Sequence, residues 1–358
     1  MKEVISQGMD FTSHIFTGPN AEARIKDIAS TTTRCFFIVD SNAAWFFQRR
    51  FGSRANCFKY VIHDPSESIK TLDTVKQILE FLTEMRAERS SVLIAIGGGV
   101  VLDTAGFAAS IFKRGIPWIA IPSTLLSQVD ASVGGKTAVN SQAAKNIYGT
   151  FYPPHEVVVT ESVSESWTKQ HYLEGIAEMY KIFRVFDRVS AKKLVATGNP
   201  SDRLIAKSIR IKADVVRCDP WEKNLRGILN YGHTFGHAFE HHCKMPHGLA
   251  VALGIRCENR VAPEIGMMSE KIRKGIDEDL DDLCFLNPSL MPSLPPFNVI
   301  LDYMLQDKKT VGGNIRLAII DGKADMLLNH TEPTTTVSVD VLKSSYERFC
   351  EDHGTTFS

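Results

Sequence analysis

The chain is short of the features that mark whole classes of protein. It has no excess of charge: 41 Lys and Arg residues balance 41 Asp and Glu. A chain with zero formal net charge and no long basic run has no electrostatic support for nucleic acid or a membrane surface, and neither is expected as a partner. Any site for an anion must therefore be local. The seven cysteines, Cys35, Cys57, Cys218, Cys243, Cys257, Cys284 and Cys350, are scattered without a CxxC pair. That argues against a disulfide framework and against a cysteine-type zinc site. No uninterrupted apolar run is long enough to span a bilayer. Met1 to Asp10 lacks the apolar centre of a signal peptide, so the cytoplasm is the expected location. There is no internal repeat and no low-complexity segment.

What remains is an ordinary globular composition, 44% hydrophobic and 23% charged. With 358 residues the chain is long enough for two domains and a large core. Its first third reads as alternating strands and helices. Cys35–Asp40 is a short buried strand that stops on Asp40, Ser41 and Asn42, as suits a ligand edge of a parallel sheet or a plain turn. Ser68 to Arg86 has helical period through Ile69, Leu72, Val75, Ile78, Leu79 and Leu82. Ser91 to Ile96 is a second buried strand, and Gly97-Gly98-Gly99 follows at once, leading into a helix. Strand, glycine turn and helix together form a phosphate-binding arrangement, although the spacing is not GxGxxG. Trp118 to Pro122 and Val157 to Thr160 complete a mostly parallel sheet of β–α–β units.

Between these strands, Ser123 to Asn146 has little periodicity. Gly135-Lys136-Thr137 resembles the tail of a P-loop, but the loop's first glycine would fall at Asp130, which rules out that motif. A glycine-rich loop bearing Lys136 and Lys145 can still bind phosphate; a solvated loop is the alternative. From about Thr168 the pattern is helical for most of the remainder. Glu178 and Lys181 are three apart on one helical face, where a surface ion pair is the plain reading. Lys212 sits among Ile205, Ile209 and Val216 on an apolar stripe, a position where lysine either snorkels or does chemistry. A helix from Leu249 to Arg260, helices near Glu270 and from Asn298, and a strand from Ile315 to Ile320 close the reading. Lys308 and Lys309 alone read as a solvated pair.

The densest polar pattern is Leu225 to His237. Read as one helix, it spaces Arg226, Asn230, His233 and His237 by 4, 3 and 4 residues. An apolar core stripe normally has that spacing. Leu225, Ile228, Leu229, Phe235 and Phe239 surround it, which points to a buried polar cavity. His233 and His237 share a face and can bind one metal ion; two hydrogen-bonded core histidines are the alternative.

Taken in order, these motifs resemble the sugar phosphate cyclases, and among them the 3-dehydroquinate synthase family. The resemblance spans roughly residues 35 to 320. It rests on Gly97-Gly98-Gly99-Val100-Val101-Leu102-Asp103, Arg114-Gly115-Ile116-Pro117, Gln128 to Thr137, Ala177-Glu178-Met179-Tyr180-Lys181, Asn230 to His237 and His247-Gly248. It implies an α/β fold: an N-terminal Rossmann-like NAD-binding domain, residues 1–167, and a mainly α-helical metal- and substrate-binding domain, residues 168–358. It places the ligands of a zinc or cobalt ion at Glu178, His233 and His247, and moves His237 to the substrate phosphate. Dinucleotide contacts fall on Asp40, Asn42, Glu67, Lys70, Gly98, Gly99, Asp103, Thr124, Asp130 and Lys145. The phosphate cradle falls on Lys136, Asn146, Lys181, His237 and Lys308 or Lys309, with Arg114 reaching in from the second subunit of a homodimer. Carboxylate-binding groups fall on Lys212, Arg226 and Asn230.

The implied activity converts 3-deoxy-D-arabino-heptulosonate 7-phosphate to 3-dehydroquinate and phosphate, a lyase step of the shikimate pathway. The sequence differs from the family pattern at Leu102, at Ile182-Phe183-Arg184 and across Trp167 to His171. Sister cyclases remain as alternatives: a 2-epi-5-epi-valiolone synthase type acting on sedoheptulose 7-phosphate, or an amino-dehydroquinate synthase. A polyol dehydrogenase is a further one.

Overall fold

The computed structural model describes residues 4–8, 11–31, 33–142, 144–283, 293–306, 310–311, 314–320 and 334–352. Its chain divides into two units. One comprises Met1–Gly175 with Ile205–Pro220, and the other Ile176–Leu204 with Trp221–Ser358.

In the first unit, runs of β-branched and aromatic residues form a seven-stranded sheet. Its strands are β1 (Val4–Gly8), β2 (Phe11–Thr17), β3 (Cys35–Asp40), β4 (Cys57–Ile62), β5 (Val92–Gly97), β6 (Trp118–Pro122) and, further along the chain, Glu156–Val159. Two short strands, β7 (Lys136–Val139) and β8 (Tyr148–Phe151), pair separately, which makes Glu156–Val159 β9. The order is β1-β2-β9-β6-β5-β3-β4. Only the β1–β2 pairing is antiparallel; β2, β9, β6, β5, β3 and β4 run parallel to one another. β3 and β6 are buried throughout, the continuous apolar run of a sheet covered on both faces.

The helices of this unit are α1 (Pro19–Ser30), α2 (Ala44–Phe51), α3 (Leu72–Glu84), α4 (Gly99–Ile111), the first turns of α5 (Lys169–Phe186) and, from Ile205 on, most of the later helix Asp202–Cys218. α3 starts later than its apolar period predicts. A short 3-10 turn, Glu67–Ile69, precedes it, and Thr71 caps it by accepting from the Thr74 amide.

Counted from β4, the parallel strands follow the order β4-β3-β5-β6-β9-β2. The chain therefore winds outward from β3 to β4 and then returns to the other side of β3. That reversal lies between β3 and β5, where doubly wound sheets hold ligands at the carboxyl ends of their strands. Asp40 ends β3 and Gly97 ends β5, so the two stretches singled out in the sequence flank the switch point.

The second unit is helical. After the rest of α5 come α6 (Arg188–Thr197), the start of α7 (Asp202–Cys218), α8 (His233–Cys243), α9 (His247–Glu264), α10 (Glu270–Asp282), α11 (Phe297–Gln306) and α12 (Val339–Asp352). A small antiparallel sheet joins Thr310–Val311, Asn314–Leu317 and Thr335–Val337. α9 is buried along nearly its whole length, from Ala250 to Ala262, and acts as the unit's central rod. α8 lies against it through glycines. A Cβ on Gly254 would sit 1.9 Å from the Gly232 carbonyl oxygen, and one on Gly236 would sit 3.0 Å from that of Ala250. Phe235 and Phe239 of α8 stack on Tyr346 of α12.

The stretch from Leu225 to His237 is not one helix. Leu225–Asn230 forms a 3-10 turn, and α8 begins at His233. Between them Gly232 adopts φ 79°, in the left-handed region that glycine enters without strain. The row Arg226, Asn230, His233, His237 is therefore split between two short elements, a correction to the single-stripe reading.

Candidate active site

In the second unit three side chains from separate helices meet. Glu178 of α5 is fully buried, and the Nε2 atoms of His233 and His247 both lie 3.5 Å from its Oε1. The donor atoms of the three residues are all within 4.8 Å of one another, and among the described residues they are the group of this kind that can hold a metal ion. The two imidazoles are turned for that purpose. His233 Nδ1 lies 3.2 Å from the Tyr231 carbonyl oxygen, and His247 Nδ1 lies 3.1 Å from Glu240 Oε2. An acceptor on each Nδ1 fixes its proton there and leaves the Nε2 lone pair to coordinate. Burial alone would lower the His247 pKa. Hydrogen bonds to Glu178 and Glu240, and their charges, outweigh it and raise the pKa to about 10. Two carboxylates, Glu178 and Glu240, flank this one imidazole and supply the negative potential that a divalent cation requires. One carboxylate and two imidazoles fit a catalytic zinc or cobalt site with open positions.

His237 stands beside this group, its ring centroid 5.2 Å from that of His233 and 6.5 Å from that of His247. It supplies no atom to the three-residue cluster. Glu178 and Lys181 do pair on one face of α5, but they are 0% and 3% exposed, so the surface ion pair expected of the spacing is a buried one. Arg226 is 2% exposed, and Asn230 Nδ2 donates to Glu222 Oε1 at 2.9 Å. Glu222, at φ 55°, is one of the two acidic residues, with Asp219, that the sequence offers as a protein partner for Arg226 in place of a ligand.

In the first unit the switch point is tied together by Asp40. Its carboxylate accepts from the Asn42 amide at 2.8 Å and from the Gly98 amide at 3.4 Å. Burial raises the Asp40 pKa, and these backbone donors pull against it. A Cβ on Gly97 would lie 2.6 Å from Val101 Cβ, so packing demands that glycine. Gly98 and Gly99 differ: an added Cβ would meet side-chain carbons at 3.3 and 3.5 Å and nothing nearer. At Gly98 the added carbon would press on Thr124, whereas at Gly99 the protein itself leaves room, at the N-terminus of α4, for the backbone to face an anion such as a pyrophosphate.

A second network follows. Buried Lys70 donates to Asp103 Oδ2 at 2.6 Å and to Asn146 Oδ1 at 2.5 Å. Asn140, which the sequence reading passed over, accepts from the Asn146 amide and donates to Glu67 Oε1, both at 2.8 Å. Glu67, Lys70, Asp103 and Asn146 are thus brought together. Lys212 Nζ donates to Asp130 Oδ1 at 2.5 Å and to its carbonyl at 2.6 Å, so the lysine on the apolar stripe is anchored to a predicted nucleotide contact. Thr124 bonds Ser127 within one turn.

Lys136 and Lys145 are exposed, Lys136 directly after the left-handed Gly134 (φ 111°) and Gly135 (φ 69°). Arg114 is exposed inside three successive left-handed residues, Lys113 (φ 49°), Arg114 (φ 67°) and Gly115 (φ 109°). Backbone of that kind is strained at the two non-glycine positions. Lys308 and Lys309 lie outside the described residues.

Comparison with known proteins decides the family. The 3-dehydroquinate synthase N-terminal family model matches residues 60–174, and the 3-dehydroquinate synthase C-terminal model matches residues 175–310. A 3-dehydroquinate synthase from Campylobacter concisus is 42% identical over 272 residues, which cover 74% of this chain and 77% of that protein. The chain belongs to the 3-dehydroquinate synthase family.

Solved structures show that the fold is shared more widely among cyclases. A 2-deoxy-scyllo-inosose synthase complexed with carbaglucose-6-phosphate, NAD+ and Co2+ has a TM-score of 0.83 at 23% identity, covering 97% of this chain and 99% of that one. A 2-epi-5-epi-valiolone synthase from Streptomyces hygroscopicus subsp. jinggangensis, with NAD+ and Zn2+ bound, has a TM-score of 0.81 at 20% identity, covering 97% and 98%. Among the described residues no helix is long and apolar enough to cross a membrane.

Proposed function

We propose that this chain is an NAD- and metal-dependent cyclase that converts 3-deoxy-D-arabino-heptulosonate 7-phosphate to 3-dehydroquinate and inorganic phosphate. The observation that carries the reading is the aim of His233 and His247 through Nε2 at one oxygen of a fully buried Glu178, in a chain of this family. Glu178, His233 and His247 hold a zinc or cobalt ion. Asp40, Asn42, Glu67, Lys70, Gly98, Gly99, Asp103, Thr124, Asp130 and Lys145 serve NAD. Residues 1–167 form the nucleotide domain in this reading, and residues 168–358 the metal and substrate domain.

A cation held there would supply a Lewis acid for the substrate's alcohol and ketone, and NAD would supply a hydride acceptor that returns the hydride to the ketone after phosphate has left, so that no net oxidation results. The protein's own groups do the rest. Oxidation next to a C–H bond makes that bond acidic and allows phosphate to leave. Lys136, Asn146, Lys181, His237 and Lys308 or Lys309 hold the phosphate and stabilise it as it departs, with Arg114 contributed by the second subunit of a homodimer. The leaving phosphate takes the proton itself, so no protein base is required. Arg226 and Asn230 bind the substrate carboxylate, a planar donor with an amide beside it, and Lys212 adds a cation. The expected compartment is the cytoplasm.

The test offers the purified chain a panel of sugar phosphates with substoichiometric NAD. The heptulosonate should release phosphate over many turnovers without accumulating NADH. Faster turnover of sedoheptulose 7-phosphate would move the chain to a sister cyclase. One NADH formed per substrate would replace cyclisation with polyol oxidation.

A further inference from the structure

Glu258, on the buried helix α9, lies outside every motif that carries the family resemblance, yet it grips the backbone on both sides of a metal ligand. It is 0% exposed. Its Oε2 accepts from the Gly232 amide at 2.7 Å and its Oε1 from the Thr234 amide at 3.0 Å. The residue between those two amides is His233. From the geometry we infer that Glu258 is a positioning residue for the metal centre, a carboxylate clamp that sets the direction of His233. This rests on the metal reading of Glu178, His233 and His247 given above.

The local chain explains why a clamp is needed. α8 starts at His233, and its N-cap, Gly232, has no side chain with which to satisfy the amides of the first turn. Those donors are buried, and burying an unpaired donor costs more than one ordinary hydrogen bond returns. Glu258 supplies the missing acceptor from another helix, and its charge suits the positive end of α8. A Ser or Asp at the N-cap position could cap the helix too, but Gly232 is held at φ 79° with Gly254 packed against its carbonyl. A side chain at either glycine would disturb the approach, so the cap has to come from α9.

The next contacts extend the grip. Tyr231 donates its hydroxyl to Asn259 Oδ1 at 2.6 Å, and the Tyr231 carbonyl receives His233 Nδ1 at 3.2 Å. Neighbouring residues of α9, Glu258 and Asn259, therefore fix Tyr231, Gly232 and Thr234. That leaves the imidazole of His233 little freedom other than the orientation that turns Nε2 toward Glu178. Such outer partners of a ligand tune metal affinity by about 10–100-fold when removed. The same α9 begins at His247, so one rigid helix presents one ligand directly and aims another.

The test uses Glu258→Gln in the full chain, an isosteric change that turns one acceptor into a donor facing an N–H. Zinc affinity by chelator competition and the visible spectrum of the cobalt-loaded protein are the readouts. We expect zinc binding about 10–100-fold weaker and an altered cobalt spectrum, with NAD affinity unchanged. Val261→Ala, a cavity in the same buried helix, controls for lost stability and should leave both metal readouts as in the wild type. If Glu258→Gln does not fold, Glu258→Asp, which keeps the charge and shortens the arm, is read the same way. Wild-type zinc affinity and cobalt spectrum in the Glu258 variant would overturn the proposal. So would a loss of affinity matched by Val261→Ala at equal loss of thermal stability. His233→Ala separates this proposal from the metal reading. If that variant binds zinc normally, the metal reading falls; if it loses zinc while Glu258→Gln keeps it, only the clamp falls.

Discussion

The two units prepare for their partners by opposite means. At the switch point of the first, the surface offered to a ligand is mostly backbone: the Gly97–Gly99 turn, the N-terminus of α4, and one carboxylate, Asp40, tied to two amides. In the second, it is made of side chains: Glu178, His233 and His247, brought from three helices to one point. A backbone site is built by consecutive residues and needs little beyond the right turn. A site made of side chains exists only once distant segments have packed. The first should therefore be sensitive to volume and nearly indifferent to stability. The second should be sensitive to every group that aims a ligand.

The largest effect expected is on the metal side. His233→Ala should release the metal and lower kcat/KM by about 10³-fold or more, since the Lewis acid for the substrate's alcohol and ketone would be lost. NAD affinity, measured by fluorescence titration, should change by less than about twofold if the two preparations are independent. Dipicolinate treatment of the wild type should reproduce the loss, and zinc or cobalt should restore it. A variant that retains full zinc occupancy would break the assignment. One that loses NAD binding to the same degree would break the independence.

The nucleotide side is tested by Gly99→Ala. The new methyl group would sit 3.5 Å from Ala131 Cβ, an ordinary contact, and alanine is the better helix former by up to about 1 kcal/mol. On the nucleotide reading of this turn, thermal stability should hold or rise slightly while NAD binding weakens by about 10-fold, since an added methyl group would keep the backbone from closing on the pyrophosphate. Metal affinity should not move. Unchanged NAD affinity would mean that the glycine turn faces no ligand.

The same contrast explains what could be read from the sequence. The strands at Cys35–Asp40, Val92–Gly97 and Trp118–Pro122, and the glycine turn after the second, were legible because each is a local run with its own period and its own punctuation. The metal set was not legible from spacing. His233 and His237, four apart, looked like the ligand pair, and only the family resemblance pointed to His247. The 3.5 Å approach of His247 to Glu178 is a contact between residues 69 positions apart in the chain, which no periodicity reports. The single helix over Leu225–His237 failed for a physical reason: Gly232 was counted as one more helical residue when its left-handed φ ends one element and starts another. Three glycines in thirteen residues, Gly227, Gly232 and Gly236, were the available warning. Glu178 and Lys181 looked like a surface pair because spacing shows that two residues share a face but not where that face points.

The smallest and sharpest test concerns Asp40, the carboxylate tied to the glycine turn. Burial raises its pKa, so the ionised form costs the folded chain stability at neutral pH. The sign follows from linkage. A carboxyl group whose folded pKa lies above its unfolded value takes up its proton first in the folded chain. The cost is therefore fully present above the folded pKa and disappears as pH falls through it toward the unfolded value. Asp40→Asn keeps an oxygen for the Asn42 amide and gives up only the longer contact to the Gly98 amide, at 3.4 Å. At pH 7 the variant should melt at the same temperature as the wild type or a few degrees higher, a gain on the order of 1 kcal/mol or less. That gain should shrink toward zero as the buffer is acidified through the carboxyl's titration. On the nucleotide reading, NAD binding should weaken by about 10-fold at neutral pH, because the carboxylate at the end of β3 would be the group that meets a ribose hydroxyl. A residue retained for ligand binding at the expense of stability shows both changes together. If Asp40→Asn loses stability and keeps NAD affinity, Asp40 is a structural tie between β3 and the glycine turn, and the nucleotide reading of this edge rests on the glycines alone.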